Sequence, residues 1–440
     1  MLHILLQAFF LALVLADDPN DLSSYTKAVF IPYASKFSSN HTPTISCTIK
    51  NKPYVIPVDT GSTGLIIGAP KVPFIPTKAG FPAIEYIAKK ELLYTGRFVK
   101  ISINFLGVNG TKARAEVPAF IVDKSVICSG YKGGDQCTIT KENDVGKILH
   151  MGIGFGLNAL ESGSPNAIPS NNPLLNIVSV NGVHVTDKKF RNGYIVSTKG
   201  IHIGLTKKNT EEFNWVGLDK GTTSDKHDWA MVKTAFKVDD QGPYPGSAVI
   251  DTSIGEMYIQ ASPLGSLPNA TVSDTFHKSS SKSSKSPKSS ESSKSSKSAK
   301  SAESDKSDKS SESSKTSKKQ ITVVKKDTKL SFGFPSLGDE GLAGYDFKVG
   351  DKKFKSQPTW VEPVTSGKAP FVNTGRKLLW GFTVAFDAVG GRYGFKCLRC
   401  GGKESEAKGS GSKEVSKQGH GKWTGDEGTG YKTGKPLRFV

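Results

Sequence analysis

The chain has 440 residues and a formal net charge of +19, with 36% hydrophobic residues, 46 glycines and 23 prolines. That length suits a bilobal protein or two to three domains. The charge does not mark a nucleic-acid binder: residues 278–319 carry +7 and residues 396–440 carry +5, which leaves a mildly basic body. Residues 4–15 form an apolar run too short to span a bilayer, and it ends in Val14-Leu15-Ala16, with small residues where a signal peptidase cuts. The expectation is a signal peptide over 1–16 and a secreted chain that begins at Asp17. No later apolar run reaches the length of a membrane span, and the C-terminus has no hydrophobic tail of a lipid-anchor signal.

The first stretch that carries chemistry is Tyr54-Val55-Ile56-Pro57-Val58-Asp59-Thr60-Gly61-Ser62-Thr63-Gly64. An apolar strand here drives Asp59 into the interior, where an ionised carboxylate is costly without donors. The turn supplies them, from the backbone N–H groups of Gly61 and Ser62 and the hydroxyls of Thr60 and Ser62. Ile84-Glu85-Tyr86 and Leu92-Leu93-Tyr94 follow as short strands. Phe98–Phe105 and Arg114–Val122 bracket Val108-Asn109-Gly110, a hairpin turn. Many such Val/Ile/Thr/Phe/Tyr runs, broken by Gly, Pro and Asn, predict an all-β body without long amphipathic helices.

Five cysteines leave at least one unpaired in a monomer. Cys128 and Cys137 flank a short Gly-rich loop and are expected to form a local disulfide. Cys397-Leu-Arg-Cys400 lacks a second pair or a nearby His, so it reads as a small disulfide or free thiols rather than zinc. Cys47, in an apolar strand, reads as buried. The triplets at Asn40, Asn109 and Asn269 fit N-glycan acceptors. The eight histidines form no metal spacing, and His150 and His202 read as ordinary residues. No metal and no cofactor is implied.

About 190 residues after Asp59 the pattern returns as Ser247-Ala248-Val249-Ile250-Asp251-Thr252-Ser253-Ile254-Gly255. Two copies of apolar-apolar-Asp-Thr point to two similar lobes that face each other across a cleft. Between Asp251 and the end of the second lobe lies a tract, 278–319, with 21 Ser and 12 Lys in 42 positions. It cannot bury enough surface to offset its ordering entropy and reads as a disordered insertion. Anionic surfaces or cell-wall polysaccharide suit it as partners, as does no partner at all. Strands resume at Thr322-Val-Val, Leu330-Ser-Phe-Gly-Phe and Tyr345–Gly350. Phe371-Val372-Asn373-Thr374-Gly375, Leu379–Asp387 and Gly391–Phe395 close the fold, and a basic tail reads as disordered from Cys397 onward.

With both Asp loops and these closing strands, the sequence resembles the pepsin-type aspartic peptidases, specifically the divergent secreted kind found in fungi. The resemblance covers about Tyr25 to Phe395 without the Ser/Lys tract. It implies a bilobal all-β acid-protease fold: an N-terminal lobe over 17–190, a C-terminal lobe over 191–277 and 320–396, the insertion at 278–319 and a tail at 397–440. It further implies a monomeric aspartic endopeptidase, active on extended peptides at acidic pH, with Asp59 and Asp251 as the catalytic pair and Thr60, Gly61, Ser62, Thr252 and Ser253 in support. A flap tyrosine would be Tyr86 or Tyr94, and Met151-Gly152-Ile153-Gly154-Phe155-Gly156 matches a family element that threads beside the first Asp loop. The second loop departs from the family's Asp-Thr-Gly: Ser253 adds a Cβ, and Ile254 removes a hydroxyl donor to Asp251. That departure keeps a second expectation in view, a catalytically impaired protein that binds peptide or glycan at a cell surface. With cleavage after Ala16, 42 residues precede Asp59, which leaves little room for the family's inhibitory propeptide.

Overall fold

A computed structural model describes residues 20–133, 137–157, 166–185, 189–262, 265–273, 320–365, 369–398 and 437–439. The leader at 1–16, the Ser/Lys tract at 278–319 and Cys400 lie outside them. The described chain is all-β, with short 3-10 turns and no α-helix. No helix among the described residues is long and apolar enough to cross a membrane.

Two lobes repeat one motif, and the strand pairing shows it. In the first, Lys52–Asp59 carries Asp59 at its end, and Thr63–Gly68 leads away from the loop. Leu149–Ile153 threads between them, parallel to the Asp strand and antiparallel to the outgoing one. In the second lobe Gln241–Val249 runs to Asp251, and Met257–Gln260 leads away. Phe371–Asn373 threads between these, again parallel to the first and antiparallel to the second. The bilobal all-β architecture expected from the duplicated Asp-Thr is therefore present.

A third sheet joins the lobes. Val29–Pro32 pairs with Gly200–Leu205, and the sheet continues through Arg191–Val196, Phe382–Asp387, Arg392–Cys397 and Asn214–Gly217. Alternate residues Phe382, Val384 and Phe386 are buried there, as the period-2 pattern requires. Asp387 ends that strand fully buried. Arg191 grips it with Nε and Nη2, both at 2.9 Å, and Arg392 Nε adds a third bond at 2.8 Å. A buried carboxylate is tolerable only with such pairing.

The hairpin read around Asn109 is present as Leu92–Leu106 and Lys112–Ser129, and Asn109 takes the left-handed conformation at its tip (φ 54°). Asn40, Asn109 and Asn269 are all exposed. Asn269–Ser273 pairs directly with Gln320–Val324, so the chain leaves for the tract and returns at neighbouring positions. Cys128 and Cys137 are disulfide-bonded, and Cys47 is free and buried, its thiol pushed up to about 12 by desolvation. Closing a loop of this length stabilises a fold by about 2–3 kcal/mol through the unfolded chain. The double variant Cys128→Ser/Cys137→Ser is therefore expected to lose roughly that much in a urea titration. A midpoint equal to that of the parent would contradict it.

Candidate active site

Both Asp strands deliver their carboxylates to one point. Asp59 and Asp251 are each 5% exposed. Beneath them the lobes are bonded by a reciprocal lattice. Thr60 N–H donates to Thr252 Oγ1 and Thr252 N–H donates to Thr60 Oγ1, both at 3.0 Å. Each hydroxyl then donates across the interface, Thr60 to the Ile250 carbonyl and Thr252 to the Val58 carbonyl. A threonine at these two positions offers one donor and one acceptor to a symmetric partner, which serine could do only with more rotamer freedom.

The glycine of the first loop makes close approach feasible. A Cβ built on Gly61 would stand 2.3 Å from Asp251 Cγ. Asp59 accepts from Gly61 N–H at 2.7 Å and from Ser62 Oγ at 2.6 Å. Asp251 accepts from Ser253 N–H at 2.8 Å, Ser253 Oγ at 2.7 Å and Ile254 N–H at 3.2 Å. Asn373 Nδ2 donates to its other oxygen at 2.8 Å.

The donor expected to be missing at Ile254 is therefore replaced. Ser253 turns its hydroxyl onto the carboxylate, and its Cβ is accommodated. Asn373, from the threading strand of the second lobe, belongs to the site without any sequence motif that marks it, and so does Arg376. Its backbone N–H and Nε donate to the Ile254 carbonyl at 2.8 and 3.1 Å, and Nη2 donates to the Ser253 carbonyl. The guanidinium is buried, and desolvation lowers it to about 10 although the charges of Asp251 and Asp59 oppose that.

No protein-family model and no curated protein matches the chain. Among solved structures it is similar to the crystal structure of an aspartic proteinase from Irpex lacteus, with a TM-score of 0.43 and 11% identity over 84% of this chain and 97% of that one. The likeness is one of fold.

The electrostatics separate the two acids. Burial pushes Asp59 up, but the His150 hydrogen bond and charge, Ser62 and the Gly61 N–H outweigh it and hold the carboxyl at about 2. Asp251 is pushed up to about 7, first by burial and then by the Asp59 charge, and a side-chain hydrogen bond to Asp59 supports its protonated form. Across the span between these values the pair carries one proton and one negative charge.

His150, read as an ordinary residue, belongs to the site. Its Nε2 lies 2.7 Å from Ser62 Oγ and 3.4 Å from Asp59 Oδ2. No His spacing could signal this, because the contact is made across strands. Alternation could have signalled it: Gly152 sits opposite Asp59, and residue 150 shares its face.

A cleft of about 1290 Å³ opens beside Asp59 and is lined by Ser62, His150, Glu85, Tyr86, Tyr94 and Ile254 among others. The hairpin over it pairs Phe81–Ile87 with Leu92–Leu106. Glu85 and Tyr94 lie opposite each other and share a face. The Tyr94 hydroxyl is pushed up by burial and then by the Glu85 charge. Tyr86 donates to the Cys128 carbonyl at 3.2 Å and packs on Tyr131 at 4.9 Å between ring centroids, so the disulfide loop anchors it.

Proposed function

We propose that this chain is a secreted aspartic-type endopeptidase that hydrolyses extended peptides at acidic pH. The observation that carries the reading is the pair of buried carboxyls, held together by the Thr60–Thr252 lattice and separated into one anion and one acid. Such a pair needs no metal and no covalent intermediate. Asp59 takes a proton from water as it attacks the scissile carbonyl, while Asp251 gives its proton to the carbonyl oxygen. The cleft beside Asp59 is large enough for several residues of substrate, and the flap hairpin with Tyr86 and Tyr94 covers it.

The remaining parts of the reading follow from the sequence. The apolar leader at 1–16 and the Cys128–Cys137 disulfide support export to an oxidising compartment. The exposed Asn40, Asn109 and Asn269 are the candidate glycan acceptors. The lobes span 17–190 and 191–277 with 320–396, and the Ser/Lys tract at 278–319 would meet cell-wall polysaccharide outside the catalytic body. The alternative of a binding protein without turnover draws on Ser253, Ile254, a flap tip of Ile87-Ala88-Lys89-Lys90 in place of glycines, and the little room for a propeptide. Donation from Ser253 Oγ and Asn373 to Asp251 answers the first two of these.

The purified chain is expected to cleave a denatured protein at about pH 3–5, the range set by a shared-proton pair, and pepstatin is expected to stop it. Absence of hydrolysis from pH 2 to 7, with peptide binding retained, would sink the peptidase reading and favour the binding one.

A further inference from the structure

The two lobes place different side chains at one equivalent position. Asp59 pairs with Gly152 on the threading strand of its lobe. In the other lobe Val249 pairs with Asn373, and Asp251 and Gly375 each follow two residues later in their chains. Both glycines are pressed on the backbone of their Asp loop: a Cβ on Gly152 would meet the Ser62 carbonyl carbon at 2.6 Å, and one on Gly375 the Glu256 carbonyl oxygen at 2.0 Å. Two residues before each glycine lies the residue that serves the carboxylate. It is His150 in the first lobe and Asn373 in the second.

Proton bookkeeping fixes the direction of the His150 bond. Ser62 Oγ has one hydrogen and gives it to Asp59 Oδ2 at 2.6 Å. Toward His150 it can only accept, so the ring donates from Nε2 across 2.7 Å. This also excludes Ser62 as a nucleophile activated by His150, because the imidazole does not take the serine proton and the carboxylate sits on the Nε2 side. Asn373 offers Asp251 a neutral amide at 2.8 Å, whereas His150 offers Asp59 a donor that can also carry positive charge 3.4 Å away.

We propose that His150 is a positioning residue that assigns the roles within the pair: through Ser62 it keeps Asp59 the anionic partner and leaves the shared proton on Asp251. The hydrogen bonds alone favour charge on Asp251, which accepts four against two at Asp59; the positive charge that His150 can bring to Asp59 acts the other way, and neutral Asn373 has no counterpart to it. The ring is about one-third exposed in the cleft, so it faces other charges. Glu85 and Tyr94 come from the flap hairpin. Lys141 and Glu142 come from the strand Thr138–Glu142, and Asp144 and Lys147 from the turn after it. These cavity groups include both signs, and Asp59 is in ion-pair range. The strand facing His150 on its outgoing side presents Ile66, which carries no charge.

The assignment rests on the peptidase reading only for its catalytic meaning, so the first readout needs no turnover. In protein labelled with 13Cγ-aspartate, resonances of Asp59 and Asp251 are assigned by single Asn variants and followed over pH. His150→Phe, which keeps a ring but loses donor and charge, is expected to raise the Asp59 titration by about one pH unit, a tenfold change in proton affinity. His150→Gln, which keeps a donor without charge, is expected to raise it by less. The acid limb of kcat/KM should move with the Asp59 titration in each variant. An Asp59 titration that stays in place in both folded variants overturns the proposal. If the titrations move as expected and the parent itself hydrolyses no peptide, the proton assignment stands and the peptidase reading falls.

Discussion

Asp59→Asn is expected to lower kcat for peptide hydrolysis by about 10³–10⁴-fold, the loss typical of removing a general base, and to leave the fold intact. The Thr60–Thr252 lattice does not involve the Asp59 side chain. An Asn at 59 still accepts from Gly61 N–H through its carbonyl oxygen, and its amide can donate to Ser62 Oγ once that hydroxyl turns. What disappears is the carboxylate that His150, Ser62 and the Gly61 N–H hold below the ordinary range. Asp251 cannot take over, because it is the protonated partner and its proton is needed by the carbonyl. A tenfold loss corresponds to about 1.4 kcal/mol of barrier, so the expected decrease asks the base for roughly 4–6 kcal/mol. Single-turnover cleavage of a short peptide, with peptide binding measured separately, checks the prediction. Cleavage within tenfold of the parent would show that Asp59 is not the base.

How much of this could be read from residues alone follows from distance along the chain. Asp59 with Gly61 and Ser62 is a local motif, and its donors lie within three residues of the carboxylate. The duplication around Asp251 was equally legible, and with it the two facing lobes. The reciprocal threonine bonds join residues 192 positions apart and correct the sequence reading, which assigns the Thr60 hydroxyl and the Ser62 N–H to Asp59: that hydroxyl donates across the interface to the Ile250 carbonyl, and Asp59 takes its loop bonds from Gly61 N–H and Ser62 Oγ. Asn373 and His150 are another matter. Each reaches its carboxylate because a threading strand, 122 residues from Asp251 in one case and 88 from Ser62 in the other, lies beside the Asp strand. Their identity carries no motif: one is an amide before Thr-Gly, the other a lone histidine between Leu149 and Met151. Arg376 was hidden in the same way. An arginine between a glycine and a lysine reads as surface, and only the turn Arg376–Trp380 carries it under the second loop. The closing strands were plain as strands, while the buried Arg191–Asp387–Arg392 cluster was not, since it links residues 196 apart.

The same charge separation should appear in stability, with no substrate present. Asp251 holds its proton up to about 7 in the folded chain, against an ordinary value of 3.8. Between those values the folded state binds a proton that the unfolded state has released, so stability falls as pH rises through about 4 to 7 and the slope ends above the upper value. Asp59 acts with the opposite sign. Its carboxyl is held at about 2 against 3.8, so its contribution is complete above the ordinary value and is lost as pH falls through the lower one. The pair therefore favours a maximum near pH 4. His202 and His227, whose rings burial keeps from protonation, add a slope of the other sign below about pH 6.5. The decisive quantity is thus the difference between the parent and Asp251→Asn. Urea midpoints taken from pH 4 to 7 should fall in the parent relative to that variant, and Asp59→Asn should shrink the fall as well, because the Asp59 charge is, after burial, the larger of the remaining causes that hold the proton on Asp251. Parallel curves for parent and Asp251→Asn would mean that Asp251 releases its proton as readily in the fold as outside it, and the separation of the pair into base and acid would lose its basis.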